Sequence, residues 1–181
     1  MYNIFIAKTY YVNIVIFSMH LYLKNKFLYA GDYKIKCSIG KRGLTRKKTE
    51  GDLKTPKGIF NFKLVLYRQD KIGNIRTKLR KLKIKKKLGW CDDPTSSFYN
   101  KLINFPFKKS AEKLYLKKNI YDIILVINYN LNPIKKNKGS AIFLHIASKN
   151  YSPTGGCLAI NKRDLLKILP QINKKTKLII H

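Results

Sequence analysis

Apolar and polar positions alternate with a period of two along most of this chain, and helical spacing is confined to short stretches. Residues 25–40 (NKFLYAGDYKIKCSIG) place Phe27 and Tyr29, then Ile35, Cys37 and Ile39, on alternate positions around an Ala-Gly-Asp turn, which predicts a hairpin. Residues 57–68 set Ile59, Asn61 and Lys63 against Phe60, Phe62 and Leu64, a second strand. The run YDIILVINYN (121–130) is continuously apolar and β-branched, so it is expected in mid-sheet with both faces covered. SAIFLHIA (140–147) has the same character, and TKLII (176–180) reads as a closing strand. In INKRDLLKILP a helix is predicted, with Asn161 as cap, Asp164 in the first turn, Leu165, Leu166 and Leu169 as its apolar stripe, and Pro170 as its stop. SAEKLYLKK (110–118) reads as a second short helix. The fold class is therefore mainly β, a β-rich α+β chain.

The connections 41–56 and 89–110 are long for a compact domain, and the second holds too many Trp, Tyr, Phe and Pro to be an idle linker. No internal repeat interrupts the chain, and 181 residues suffice for one domain with its own core. Residues 1–23 form a separate segment, either a strand or peripheral piece, or an uncleaved anchor or poor signal. Its apolar run follows Lys8 but is broken by Asn13, Ser18 and His20 and lacks a small-x-small cleavage site.

A net charge of +30 first suggests nucleic acid. Of the 39 basic residues, however, 33 are Lys and 6 Arg, whereas base-edge recognition favours Arg. Lys, Asn, Ile and Tyr make up 83 of the 181 residues and share A/T-rich codons, which favours Lys spread over solvated faces. A polyanionic wall or membrane surface and nucleic acid remain the other readings. The densest basic cluster, 78–90, carries Leu79, Leu82, Ile84 and Leu88, as expected of an element with one buried face. Three cysteines, Cys37, Cys91 and Cys157, are no disulfide framework. Three scattered His, with His20 and His181 at the extremes, have no metal-ligand spacing.

Chemistry is concentrated in GSAIFLHIASKNYSPTGGCLAIN (139–161), where His145 ends an apolar strand and Cys157 follows twelve residues later. A thiol nucleophile needs a base, a fixed position for that base, and donors for an oxyanion. The strand can fix His145, and Gly155 and Gly156 leave bare backbone N–H groups beside Cys157. Pro153 and Thr154 stiffen the approach. Spacing alone leaves open a packed thiol and a satisfied core histidine.

His145 followed by Thr154-Gly155-Gly156-Cys157 resembles the catalytic motif of the L,D-transpeptidase (YkuD-type) family. The resemblance extends, as in a branch typical of α-proteobacteria, through CSIGKRG (37–43), EGDLKTPKGIF (50–60), GWCDDP (89–94), FYN (98–100), YDIILVINYN and GSAIFLH, and covers residues 24–181. It implies a catalytic domain over 24–181, with a mixed β-sandwich or sheet core and one or two short helices. It also implies acyl transfer between peptidoglycan stem peptides, donor and acceptor, by a monomer in the periplasm or cell envelope with possible peripheral membrane association. Cys157 is the implied nucleophile and His145 the base, held by the carbonyl of Ile146; Gly155, Gly156 and Cys157 supply the oxyanion donors. No cofactor, no metal and no nucleic acid are expected. The rival readings are hydrolysis of the same bond by a carboxypeptidase or endopeptidase, and a basic binding module with an inert Cys/His pair.

The chain departs from the wider family at Ala159, where Arg is common, and at Ile146, where Gly commonly follows the His. That Arg's role is therefore vacant or moved: Arg68, at the end of its strand, and Arg163 are the candidate substitutes, with a plain surface charge as the favoured reading of each. Thr154, Arg68, Trp90, Asp92, Asp93, Tyr99 and Asn100 are the expected substrate-binding residues, the last five because the long loop carries the only Trp and two adjacent acids of the nine in the chain. Glu50, Asp52, Thr55 and Pro56 are expected to shape a turn beside the site, and Cys91 to pack.

Overall fold

The computed structural model describes residues 19–181. The first strands are β1 (Leu21–Lys24), β2 (Phe27–Ala30), β3 (Tyr33–Lys36), β4 (Leu44–Thr45), β5 (Thr55–Pro56) and β6 (Gly58–Tyr67). A single helical turn, α1 (Gln69–Ile72), precedes β7 (Lys81–Lys83), β8 (Leu88–Cys91), β9 (Leu102–Asn104) and β10 (Ala111–Lys113). After a 3₁₀ turn at Asn119–Tyr121 come β11 (Ile123–Ile127), β12 (Phe143–Ile146), β13 (Leu158–Ile160), α2 (Lys162–Ile168) and β14 (Lys177–Ile180). The described residues are thus strand-dominated with two short helices, the mainly β fold that the alternation predicts.

β6 is the spine. Its first half pairs antiparallel with β14 and its second half with β11, so one sheet runs β13-β12-β11-β6-β14-β1-β2-β3, with β7 added against β6. β1 pairs parallel with β14 through Leu21↔Leu178 and Leu23↔Ile180. The sheet therefore crosses the boundary expected between residues 23 and 24; the rest of that N-terminal expectation, residues 1–18, lies outside the described residues. The expected hairpin forms as β2 and β3.

All five residues of β11 are buried, as a strand covered on both faces requires. Strand parity divides them: Ile123, Leu125 and Ile127 join the core under α2, with Leu144, Ile146, Leu158 and Ile160. Ile124 and Val126 face the other way, with Phe143, Trp90, Tyr121 and Cys157. That second face is closed by a three-stranded sheet, β10-β8-β9. The basic cluster has the expected buried side, with Leu79 and Ile84 about 5 % and 4 % exposed. Asn161 caps α2 by accepting from the Asp164 N–H at 2.9 Å, and the helix ends at Ile168, two residues before Pro170.

The helix expected at 110–118 does not form. Ala111–Lys113 instead pairs with β8 in the register Glu112↔Trp90, and the Leu114 N–H bonds to the Leu88 carbonyl at 3.1 Å. The Ala-Glu-Lys-Leu string has helix propensity, but sheet pairing and full burial of Leu114 outweigh tenths of a kcal/mol per residue, roughly.

Candidate active site

β12 and β13 run parallel, with Leu144 opposite Leu158 and His145 opposite Ala159. Side chains two apart share a face, so Phe143 and His145 on one strand and Cys157 and Ala159 at the other present to the same side. His145, Cys157 and Ala159 line one cavity of about 450 Å³, together with Thr154, Gly155, Gly156, Asp92, Glu112, Tyr121, Lys48 and Glu50 among others. Both candidate reactive groups are nearly sealed, with 6 % of His145 and 8 % of Cys157 exposed.

His145 Nδ1 lies 2.9 Å from the Ile146 carbonyl, the partner that the resemblance implied. A carbonyl can only accept, so that contact places the hydrogen of the neutral ring on Nδ1 and leaves Nε2 as the base. Burial lowers the ring's pKa to about 4, against the pull of backbone hydrogen bonds at Ile146 and Ile120. The Tyr121 ring stands edge-on to the imidazole, centroids 5.1 Å apart.

The Cys157 thiol donates to the Ala141 carbonyl at 3.1 Å, and the Phe143 N–H reaches Sγ at 3.3 Å. Burial first and the nearby Glu112 second push the thiol up to about 12, outweighing the Phe143 N–H and Lys48. At neutral pH the pair therefore rests as thiol and imidazole, not as thiolate and imidazolium. Proton removal must then accompany attack.

The loop before Cys157 is laced to residues 38–55. The Thr154 N–H bonds to the Ile39 carbonyl and the Lys41 N–H to the Thr154 carbonyl, both at 2.9 Å. Thr154 Oγ1 donates to the Cys157 carbonyl at 2.6 Å and accepts from the Gly156 N–H at 3.1 Å. Thr154 thus shapes the turn, and the Gly156 N–H is already engaged. The Gly155 and Cys157 N–H groups have no acceptor among the described residues, which leaves two of the three expected oxyanion donors free. Gly156 is needed for its backbone: its φ is +141°, and an added Cβ would meet the Lys54 carbonyl oxygen at 2.9 Å. At Gly155 nothing lies within 4 Å. Gly156→Ala is expected to cost about 2 kcal/mol or more, and Gly155→Ala within about 0.5, as read from urea unfolding midpoints.

Of the remaining expected substrate contacts, only Asp92 lines the cavity. Trp90 is buried, its indole N–H donating to Asn100 Oδ1 at 2.9 Å. Asn100 is itself 2 % exposed. Tyr99 donates to Glu50, and Asp93 binds the Thr95 N–H and hydroxyl in an exposed turn. Trp90, Tyr99 and Asn100 therefore hold the cavity wall from behind. Arg68 lies away from the cavity: its guanidinium pairs with Asp70, donates to the Leu116 carbonyl at 2.7 Å and stacks on Tyr115. Arg163 is exposed on α2. The cation that does line the cavity is Lys48, 6 % exposed and paired with Asp52. Asp52 also accepts from the Lys54 and Thr49 N–H groups, as a turn-shaping acid should. Glu112, Tyr121, Lys48 and Ser140 are among the cavity residues that the sequence pattern does not single out. The Leu114/Tyr115/Leu116 alternation was the available signal that Glu112 lies on a strand. Cys37 and Cys91 are buried and unpaired.

These groups impose a pH dependence on stability. Between pH 6.5 and about 4 the unfolded chain takes up a proton at His145 that the folded chain does not, so stability falls as pH drops through that window. Between about 9 and about 12, Cys37 and Cys157 ionise only in the unfolded chain, so stability falls as pH rises. Each group contributes at most about 1.4 kcal/mol per pH unit inside its window. Urea midpoints should therefore be highest near neutrality, and His145→Gln should flatten the acid limb.

Comparison with known proteins agrees with the residue pattern. The family model YkuD, the L,D-transpeptidase catalytic domain, matches residues 9–180. The chain belongs to this family. Among curated proteins none matches it. A solved structure, "Structure of Bdellovibrio bacteriovorus Bd1075", is similar at 16 % identity with a TM-score of 0.48, over 91 % of this chain and 48 % of that one. The chain thus spans about half the length of that structure.

Proposed function

We propose that this L,D-transpeptidase-family domain is a cysteine acyltransferase acting on peptidoglycan stem peptides outside the cytoplasm, in the periplasm or cell envelope. Cys157 Sγ attacks the carbonyl of the third residue, a diaminopimelate, of a tetrapeptide donor while His145 Nε2 takes the thiol proton. The tetrahedral oxyanion lies against the Gly155 and Cys157 N–H groups. Its collapse breaks the C–N bond, and the terminal D-alanine leaves as an amine carrying the proton from His145. An amine of a second stem then attacks the thioester, and the thiolate leaves and is reprotonated. The product is a cross-link between the third residues of two stems.

The observation that carries this reading is that His145 on β12 and Cys157, immediately ahead of the adjacent parallel β13, line a single cavity with unpaired N–H groups. The buried, tautomer-fixed imidazole supports the base role. Product analysis with purified disaccharide-tetrapeptide is the test. D-alanine release with a cross-linked dimer is the expected result. Tripeptide monomer alone would make the enzyme a carboxypeptidase, and no product at all would overturn the reading.

A further inference from the structure

Three of the nine acidic residues, Glu50, Asp92 and Glu112, line this one cavity of a chain that carries 39 basic residues. None of the three has a cationic partner: the ion pairs among the described residues are Lys48–Asp52, Arg68–Asp70 and Lys71–Asp122. Glu50 and Glu112 are held by tyrosine hydroxyls, of Tyr99 and Tyr121. Asp92 Oδ1 is buried with no hydrogen-bond partner. Independently, Ser140, 6 % exposed, lines the same cavity with its hydroxyl unpartnered. With so many lysines available, three unpaired carboxylates and an idle hydroxyl around one cavity describe a place for a cation that the chain does not supply. The cavity's own lysine, Lys48, is taken by Asp52.

We infer that the Asp92–Glu112 side of the cavity is a binding subsite for the primary ammonium group of a stem peptide, an inference that rests on the peptidoglycan reading above. A compact ammonium with three N–H donors can bond both carboxylates at once. It would also offset the negative charge that Glu112 sets near Cys157, so that occupancy favours ionisation of the thiol. The ammonium can come from the side chain of the donor stem or from the amine of the acceptor stem.

Calorimetry of the full chain with a diaminopimelate-containing tripeptide, and with the same tripeptide acetylated on its side-chain amine, tests this. The free amine should bind at least about tenfold more tightly than the acetylated form. Asp92→Asn and Glu112→Gln should each reduce that ratio. Equal affinity of the two peptides for the wild-type chain would overturn the inference, whether or not the variants fold. Turnover of an unmodified tetrapeptide, measured alongside, separates the two proposals. Turnover with equal affinities sinks the subsite alone, and an amine preference without turnover sinks the transferase reading alone. Within a positive result, acetylation of the tetrapeptide that stops D-alanine release assigns the ammonium to the donor. Acetylation that blocks only cross-linking to a separate amine assigns it to the acceptor.

Discussion

Cys157→Ala should lower D-alanine release and cross-linking by at least about 10³-fold while leaving the chain folded, because it removes the sulfur on which the proposed thioester would form. The substitution deletes one sulfur whose hydrogen-bond partners are the Ala141 carbonyl and the Phe143 N–H, so a stability loss of about 1 kcal/mol is expected. Mass spectrometry after exposure to a carbapenem gives the same answer without a natural substrate, with an adduct on Cys157 in the wild type and none in the variant. His145→Ala should cost roughly 10²–10⁴-fold, the usual contribution of a positioned base. The base matters here because a thiol pushed up to about 12 supplies little thiolate by itself. In a site that rested as thiolate and imidazolium, alkylation by iodoacetamide would already be fast below neutral pH in the wild type, and loss of the histidine would slow it. In this one, alkylation of Cys157 should keep rising past about pH 9 in the wild type. An alkylation plateau near neutral pH would sink the neutral-pair description, and unchanged turnover in Cys157→Ala would sink the mechanism.

What was legible in the sequence is what local pattern controls. β11 and β12 announce themselves because both faces of each are buried, which forces an unbroken apolar run. His145 and Cys157 stand out because a titratable side chain inside such a run, and a thiol behind paired glycines, need a reason. The cavity wall is another matter, since strand pairing between distant segments assembles it. Glu112 reaches the site because β10 pairs with β8, twenty-two residues earlier in the register Glu112↔Trp90. A reading of 110–118 as helix could not place it. Tyr121 belongs by pattern to the strand run 121–130 but lies in the 3₁₀ turn ahead of β11, and its position against His145 follows from the fold of that turn. The aromatic loop illustrates the opposite error. Trp, Tyr and Asn in a long connection suggest a substrate groove, but a loop of that length must also build its own core, and Trp90, Tyr99 and Asn100 are spent on that.

Asn100→Ala should then be a stability lesion of about 3–5 kcal/mol. The one side chain makes four contacts: Oδ1 accepts from the Trp90 indole N–H at 2.9 Å and from the Ala141 N–H at 3.1 Å, and Nδ2 donates to the carbonyls of Asn130 at 2.6 Å and Tyr129 at 3.3 Å. Truncation strands two donors and two acceptors in a region where Asn100 is 2 % exposed, and each buried orphan costs about 1–3 kcal/mol. Its φ of +56° is a left-handed conformation that Asn tolerates better than Ala, which adds to the loss. Asp93→Ala, seven residues away in an exposed turn, should stay within about 0.5 kcal/mol. The effect should also reach the chemistry, because the residue whose N–H bonds Asn100 is the residue whose carbonyl receives the Cys157 thiol. At a temperature where Asn100→Ala is still folded, its D-alanine release should fall while that of Asp93→Ala does not. Equal unfolding midpoints for the two variants would show that the loop does not depend on this hub.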